Sequence, residues 1–161
     1  DAFKYWDEYR AGRMSETEHD AVTGGIARSF GHCMVMGTAS TMTGITEALG
    51  LTIPGASSIP AVDANHSRMG AASGRRIVDM VWEDLTPSKV LSRASFTNAI
   101  TVAMAMGCST NAVIHLIALA RRAGFDITLA DFDALSRTTP VTVAGLVDDV
   151  TPSVITAPPS S

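Results

Sequence analysis

The sequence predicts a mainly helical chain with few strands and no complete sheet. Three observations support this. Long stretches repeat their apolar residues near every third or fourth position, as one face of a helix requires. Those stretches open at helix-starting residues such as Ser15, Thr86 and Ser109, and close at glycines such as Gly31, Gly50 and Gly107. Strand candidates are confined to short pieces such as LTIPGASSIP and ITL.

The elements follow in order. Ser15 with Glu18 three residues later makes a capping box, so SETEHDAVTGGIARSFG reads as a helix weakened at Gly24-Gly25 and stopped by Gly31. TASTMTGITEALG reads as a second helix ended by Gly50. LTIPGASSIP, rich in Pro, Gly and Ser, is expected to be an extended loop or a short buried strand. The longest helical pattern is AVDANHSRMGAASGRRIVDMVWEDL, with Met69, Ile77, Met80, Val81 and Leu85 on an apolar face and Arg75, Arg76, Asp79 and Glu83 elsewhere.

TPSKVLSRASFTNAITVAMAMG starts with a Thr-Pro cap and breaks at Gly107. STNAVIHLIALARRAG follows, capped by Ser109, with Arg121 and Arg122 near its negative end. ITLADFDALSRTTP offers a short strand, a cap near Asp131 and a short helix. From Val141 onward the helical period is lost and the last residues read as a loose tail with at most one short strand.

Composition narrows the function classes. Hydrophobic residues make up 46% and charged ones 17%, which is globular rather than disordered. A formal charge of −4 and no basic stripe argue against nucleic acid or acidic lipid. Two cysteines are no disulfide framework, so a reducing cytoplasm is the expected setting. The charged, aromatic opening DAFKYWDEYR does not read as a signal peptide. The apolar run Ala99–Ala120 has the length of a membrane span, but the polar block Gly107–Asn111 at its middle would be costly in lipid. Two buried helices meeting at a polar corner fit it better.

Two corners carry chemistry. Cys33, in GHCMVMGTASTM, lies just ahead of a helix start, where backbone N–H groups and the positive dipole end favour a thiolate. It is either a metal-binding sulfur or a small buried space-filler. Cys108 sits at the second corner, GCSTNAVIHL, and reads as packing. Ser109, Thr110 and Asn111 either cap the helix or receive a carboxylate. Among the histidines, His19 falls on a charged surface helix, Asp63 and His66 make a weak pair, and His115 reads as a core histidine. Met34, Met36, Met42, Met69, Met80, Met104 and Met106 read as core fillers.

The wording of these motifs says more than their local chemistry. GHCMVMGTASTMTGITEALGLTIPGASSIPA resembles the dihydroxy-acid and sugar-acid dehydratase family. The likeness continues through SGRRIVDMVWEDLTPSKVL, FTNAI, GCSTNAVIHLIALARRAG and LADFDALSRTTP, from about Tyr5 to Pro140. MGTASTM is closer to the sugar-acid branch, whose substrates are aldonates such as pentonates. The resemblance implies a mainly helical fragment of an α/β (α/β/α sandwich) N-terminal dehydratase domain over residues 1–140, with 141–161 a divergent tail.

It also implies roles. Cys33 matches one of three protein ligands to an iron–sulfur cluster, either 2Fe-2S or 4Fe-4S. Ser109, Thr110 and Asn111 fall near the site as candidate substrate contacts, and Cys108 is not a ligand. In the family, a sugar acid or 2,3-dihydroxy acid loses water to give a 2-keto acid. Magnesium, held partly by a carbamylated lysine, binds its carboxylate end, and a serine of a C-terminal domain is the base. No Cys-Asp-Lys motif with the other ligands occurs here, nor that second domain, so no catalytic base is expected in this chain and the chain alone is expected to be inactive. A homo-oligomer is expected, with no nucleic acid and no membrane as partner. The rival reading is a non-catalytic helical module that self-associates. A cysteine hydrolase using Cys33 with His32 or His115 lacks an oriented base.

Overall fold

A computed structural model describes residues 2–27, 29–33 and 35–141. The chain divides into two compact units, Asp1–Met34 and Val35–Ser161. As expected, it is mainly helical, with no strand among the described residues.

The first unit pairs α1 (Ala2–Arg10) with α2 (Glu16–Ile26). The opening DAFKYWDEYR, in which no element was expected, therefore contains a helix. Ser15 begins α2 through the predicted capping box: its Oγ accepts from the Glu18 N–H at 3.3 Å, and the Glu18 carboxylate accepts from the Ser15 N–H at 2.9 Å. α2 ends at Ile26 rather than at Gly31, and the Ala27 N–H donates to the Thr23 carbonyl. His19 is not simply on a charged surface. It is half-buried and stacks on Tyr9 with ring centroids 4.3 Å apart, with Trp6 at 5.4 Å.

The second unit is built on α3 (Thr38–Ala48), α6 (Arg93–Met106), α7 (Thr110–Arg122) and α8 (Leu129–Ser136). Ile45 and Leu49 from α3 and its end meet Phe96, Ala99, Ile100 and Ala103 of α6, Ala112, Leu116 and Ala120 of α7, then Ile127 and Phe132. The alanines keep the backbones close, because ridges of small side chains shorten the distance between helix axes. α6 ends at Gly107, whose φ of 64° is a conformation that glycine adopts without strain. The apolar run of residues 99–120 is thus two helices, and no helix among the described residues is long and apolar enough to cross a membrane.

Several expectations are corrected. The segment from Thr86 to Gly107 is not one helix but two: α5 (Pro87–Val90) stops, and Ser92 starts α6 with its own box to Ser95. A serine there competes for local backbone donors and resets the helix. ITL is no strand. Ile127 plugs the core, and Thr128, not Asp131, caps α8, with Asp131 returning the bond to the Thr128 N–H at 2.8 Å. LTIPGASSIP contains only a 3-10 turn, Ala56–Ser58, held by the Glu47 carboxylate, which accepts from the N–H groups of Gly55 (2.5 Å) and Ser57 (2.9 Å).

α4 (Ala64–Trp82), capped by Asp63, is the largest departure. Met69 and Met80 are half-buried, but Ile77 and Val81, expected on the inner face, are 56% and 72% exposed, beside exposed Val78 and Trp82. None of its residues is fully buried. Its interior glycines, Gly70 and Gly74, each cost about 0.5–1 kcal/mol relative to alanine, and a Cβ on either would meet nothing within 4 Å. His115, expected in the core, is exposed, as is Met36. Met42, Met104 and Met106 do pack against the core. Met34 and the tail expected after Val141 lie outside the described residues.

Leu116→Ala should lower unfolding stability in urea by about 2–5 kcal/mol, and Val81→Ala by less than about 0.5 kcal/mol. Glu18, Glu47 and Asp131 are all held below their ordinary carboxylate values: Glu18 by the Ser15 backbone N–H, Glu47 by Ser57 and the Gly55 and Ser57 N–H groups, Asp131 by the Thr128 backbone N–H. Depressed values stabilise the fold above the ordinary range of 3.8 to 4.5, so the urea midpoint should hold at neutral pH and fall as pH drops below about 4.5.

Candidate functional site

Cys33 lies near the end of the first unit, in a non-helical stretch after α2, and it is exposed. That overturns the reading of this sulfur as a buried space-filler. The neighbouring His32 ring donates through Nδ1 to the Cys33 carbonyl at 2.9 Å, since a carbonyl can only accept. Cys108 is different in kind. It is partly buried against the hydrophobic core, and that burial pushes its thiol up, so it stays protonated at neutral pH. Packing is its role.

In the second unit the sequence-predicted corner is joined to the start of α3. Thr41 is fully buried, and its hydroxyl oxygen accepts from the Ser109 backbone N–H at 3.3 Å. Thr38 accepts from the Asn111 side-chain amide at 2.8 Å, and its hydroxyl lies 3.2 Å from that of Ser109. Ser109 also caps α7 by accepting from the Asn111 N–H at 3.2 Å. Whichever of the Thr38 and Ser109 hydroxyls donates to the other, one O–H hydrogen of the pair has no acceptor among the described residues.

Two helix starts thus share one polar corner. Gly37, the N-cap of α3, has no side chain to accept from its first turn. The positive ends of α3 and α7 and a spare hydroxyl all favour a negatively charged oxygen there. Of the predicted contacts, Ser109 and Asn111 belong to this corner; Thr110 is exposed and outside the network. Thr38 and Thr41 were not singled out from the sequence. Their three-residue spacing in TASTM, which sets both on one side of α3, was the available signal.

The fit to a metal cluster is incomplete. Among the described residues, no three His, Cys, Asp or Glu side chains stand together as a metal site. Cys33 is an accessible sulfur, but one ligand does not make a cluster site.

Comparison with known proteins decides the relationship. The profile of the family described as dihydroxy-acid/6-phosphogluconate dehydratase, N-terminal, matches residues 1–152. The chain belongs to this family. It is 51% identical over 138 residues to the 6-deoxy-6-sulfo-D-gluconate dehydratase of Pseudomonas putida, a match covering 86% of this chain and 24% of that one. It is 48% identical over 132 residues to dihydroxy-acid dehydratase 1 of Methanosarcina acetivorans, covering 82% and 24%. A Halothermothrix orenii dihydroxy-acid dehydratase is 41% identical over 138 residues, covering 86% and 25%. The chain spans about a quarter of the length of the curated relatives it matches.

Thr41 gives the sharpest test of the corner. Thr41→Val keeps the shape but strands the Ser109 N–H, and should cost about 1–3 kcal/mol in urea unfolding. Thr41→Ser, which keeps the acceptor, should cost less. Equal losses would show that packing, not the hydrogen bond, holds the two helix starts.

Proposed function

We propose that this chain is part of a hydro-lyase that dehydrates a sugar acid or a 2,3-dihydroxy acid to a 2-keto acid. In that reaction the C2 proton and the C3 hydroxyl leave as water, and the enol rearranges to the ketone. The observation that carries the reading is the 51% identity, over most of this chain, to a 6-deoxy-6-sulfo-D-gluconate dehydratase. Within this chain, Cys33 is one protein ligand of an iron–sulfur cluster, and its exposure supports that role. Ser109 and Asn111, with Thr38 beside them and Thr110 at the rim, receive the acid end of the substrate. Their support is the pair of helix starts and the unspent hydroxyl.

The remaining cluster ligands, the magnesium site and the general base belong to polypeptide outside these residues. The setting is the cytoplasm, where both cysteines stay reduced.

The 161-residue chain, supplied anaerobically with iron and sulfide, should form no 2-keto acid from a panel of aldonates and 2,3-dihydroxy acids. Robust turnover that disappears in Cys33→Ala would overturn the inventory of absent parts. In a longer form carrying the upstream ligands, Cys33→Ala should lose the visible absorption of the cluster while circular dichroism is unchanged, because the residue is exposed.

A second reading, a helical module that works by self-association, is favoured by one observation. α4 presents Ile77, Val78, Val81 and Trp82 to solvent and buries nothing completely. A colourless, stable oligomer after the same iron treatment is the result expected of it.

A further inference from the structure

We infer that the acidic segment 146–150 (LVDDV) of this chain docks in the cleft between α3 and the second half of α7, its Asp148 and Asp149 carboxylates meeting Arg121 and Arg122. Both partners belong to the second unit, and the contact holds whether or not the parent protein is a dehydratase.

The cleft has a volume of about 780 Å³ and is lined by Met42 of α3 and by His115, Ala118, Leu119, Arg121 and Arg122 of α7. Met42, Ala118 and Leu119 supply apolar surface, and the other three supply two guanidiniums and an imidazole. Among the described residues, no carboxylate lines it. Arg121 and Arg122 are exposed and hold no carboxylate among the described residues, whereas Arg76, Arg93 and Arg137 of the same unit each hold one. The negative end of α7 balances part of this charge. A helix end carries only about half an elementary charge, so most of the charge of two arginines is left over.

Chain length and path select the occupant. Val141 lies beside Gly107, since a Cβ on that glycine would stand 3.9 Å from Val141 Cγ1. The chain therefore leaves Val141 near the start of α7, and the cleft lies further along the same helix. α7 has 13 residues and is about 20 Å long. Asp148 is seven residues beyond Val141, enough chain to span about 23 Å.

Composition agrees with reach. The segment sets two adjacent carboxylates among Leu146, Val147 and Val150, and the cleft sets two adjacent arginines among Met42, Ala118 and Leu119. The other adjacent acid pair of this unit, Glu83 and Asp84, is already engaged with Arg76 and Lys89. Guanidinium and carboxylate form charge-assisted hydrogen bonds, and apolar surface around them limits screening by salt.

The test is amide hydrogen exchange on the 161-residue chain at low ionic strength, read over residues 146–150. Exchange there should run about tenfold or more slower than in a free chain. Arg121→Gln with Arg122→Gln should abolish this protection, and so should Asp148→Asn with Asp149→Asn. Circular dichroism should be unchanged in both, because the arginines are exposed and bury nothing in the core. Reversing all four charges (Arg121→Asp, Arg122→Asp, Asp148→Arg, Asp149→Arg) should restore protection, while either reversed half alone should show none. Salt at about 0.5 M should reduce protection severalfold. A short tether gives an effective concentration near millimolar, so protection should not change on about hundredfold dilution of micromolar protein.

Fast exchange throughout 146–150 would overturn the docking. Protection that survives loss of both arginines would place the segment somewhere other than this cleft. Protection that fades on dilution would show the segment held by another molecule, and the contact within one chain would fall. Charge reversal that restores nothing would rule out direct pairing of these four residues.

Discussion

The hydrogen bond from the Ser109 backbone N–H to the Thr41 hydroxyl is the constraint on which the second unit's polar corner depends, because it joins two elements nearly seventy residues apart at the one point where both begin. Thr41 is the buried polar side chain among the described residues, and a buried hydroxyl is tolerable only when it is paired. Pairing it with a helix-start N–H sets the register of α3 against α7. Once that register is set, Ile45 and Leu49 reach Phe96, Ile100 and Leu116, and the core closes. The same register brings Thr38 to Ser109 and Asn111. Core and corner are consequences of one alignment.

This arrangement explains why a polar block interrupts an apolar stretch. Between α6 and α7 the chain must turn sharply, and Gly107 supplies the left-handed turn. The residues after it must then satisfy exposed backbone donors, and Ser109 does so. A helix start that is also half-buried against another helix start has its field directed into a shared space. The two cysteines divide along similar lines: Cys108, packed against apolar neighbours, stays a thiol, while Cys33 stands in the open.

α4 obeys different rules from the rest. In α3, α6 and α7 the apolar rows that carry Ile45, Ile100 and Leu116 are inside. On α4, Met69 and Met80 turn inward only partly, and the richest apolar row faces out. Amphipathic spacing says that a face will be covered; it does not say by which polypeptide.

That distinction separates what each level of description decided. Local sequence was enough for the helical class, the Ser15 box, the stop at Gly107 and the Ser109 cap, because each depends on residues within one turn of one another. The family was legible as well, since long motifs such as MGTASTM and GCSTNA carry more information than any single spacing. Local sequence missed α1, the split at Ser92 and the true cap of α8, where neighbouring helix formers and hydroxyl groups offered several near-equal boundaries. Only tertiary structure could seat Thr38 beside Asn111, lift His115 out of the core, expose Cys33 and turn Ile77 and Val81 to solvent. Those outcomes depend on contacts between distant segments, and a local pattern carries no record of which of two faces a distant segment will take.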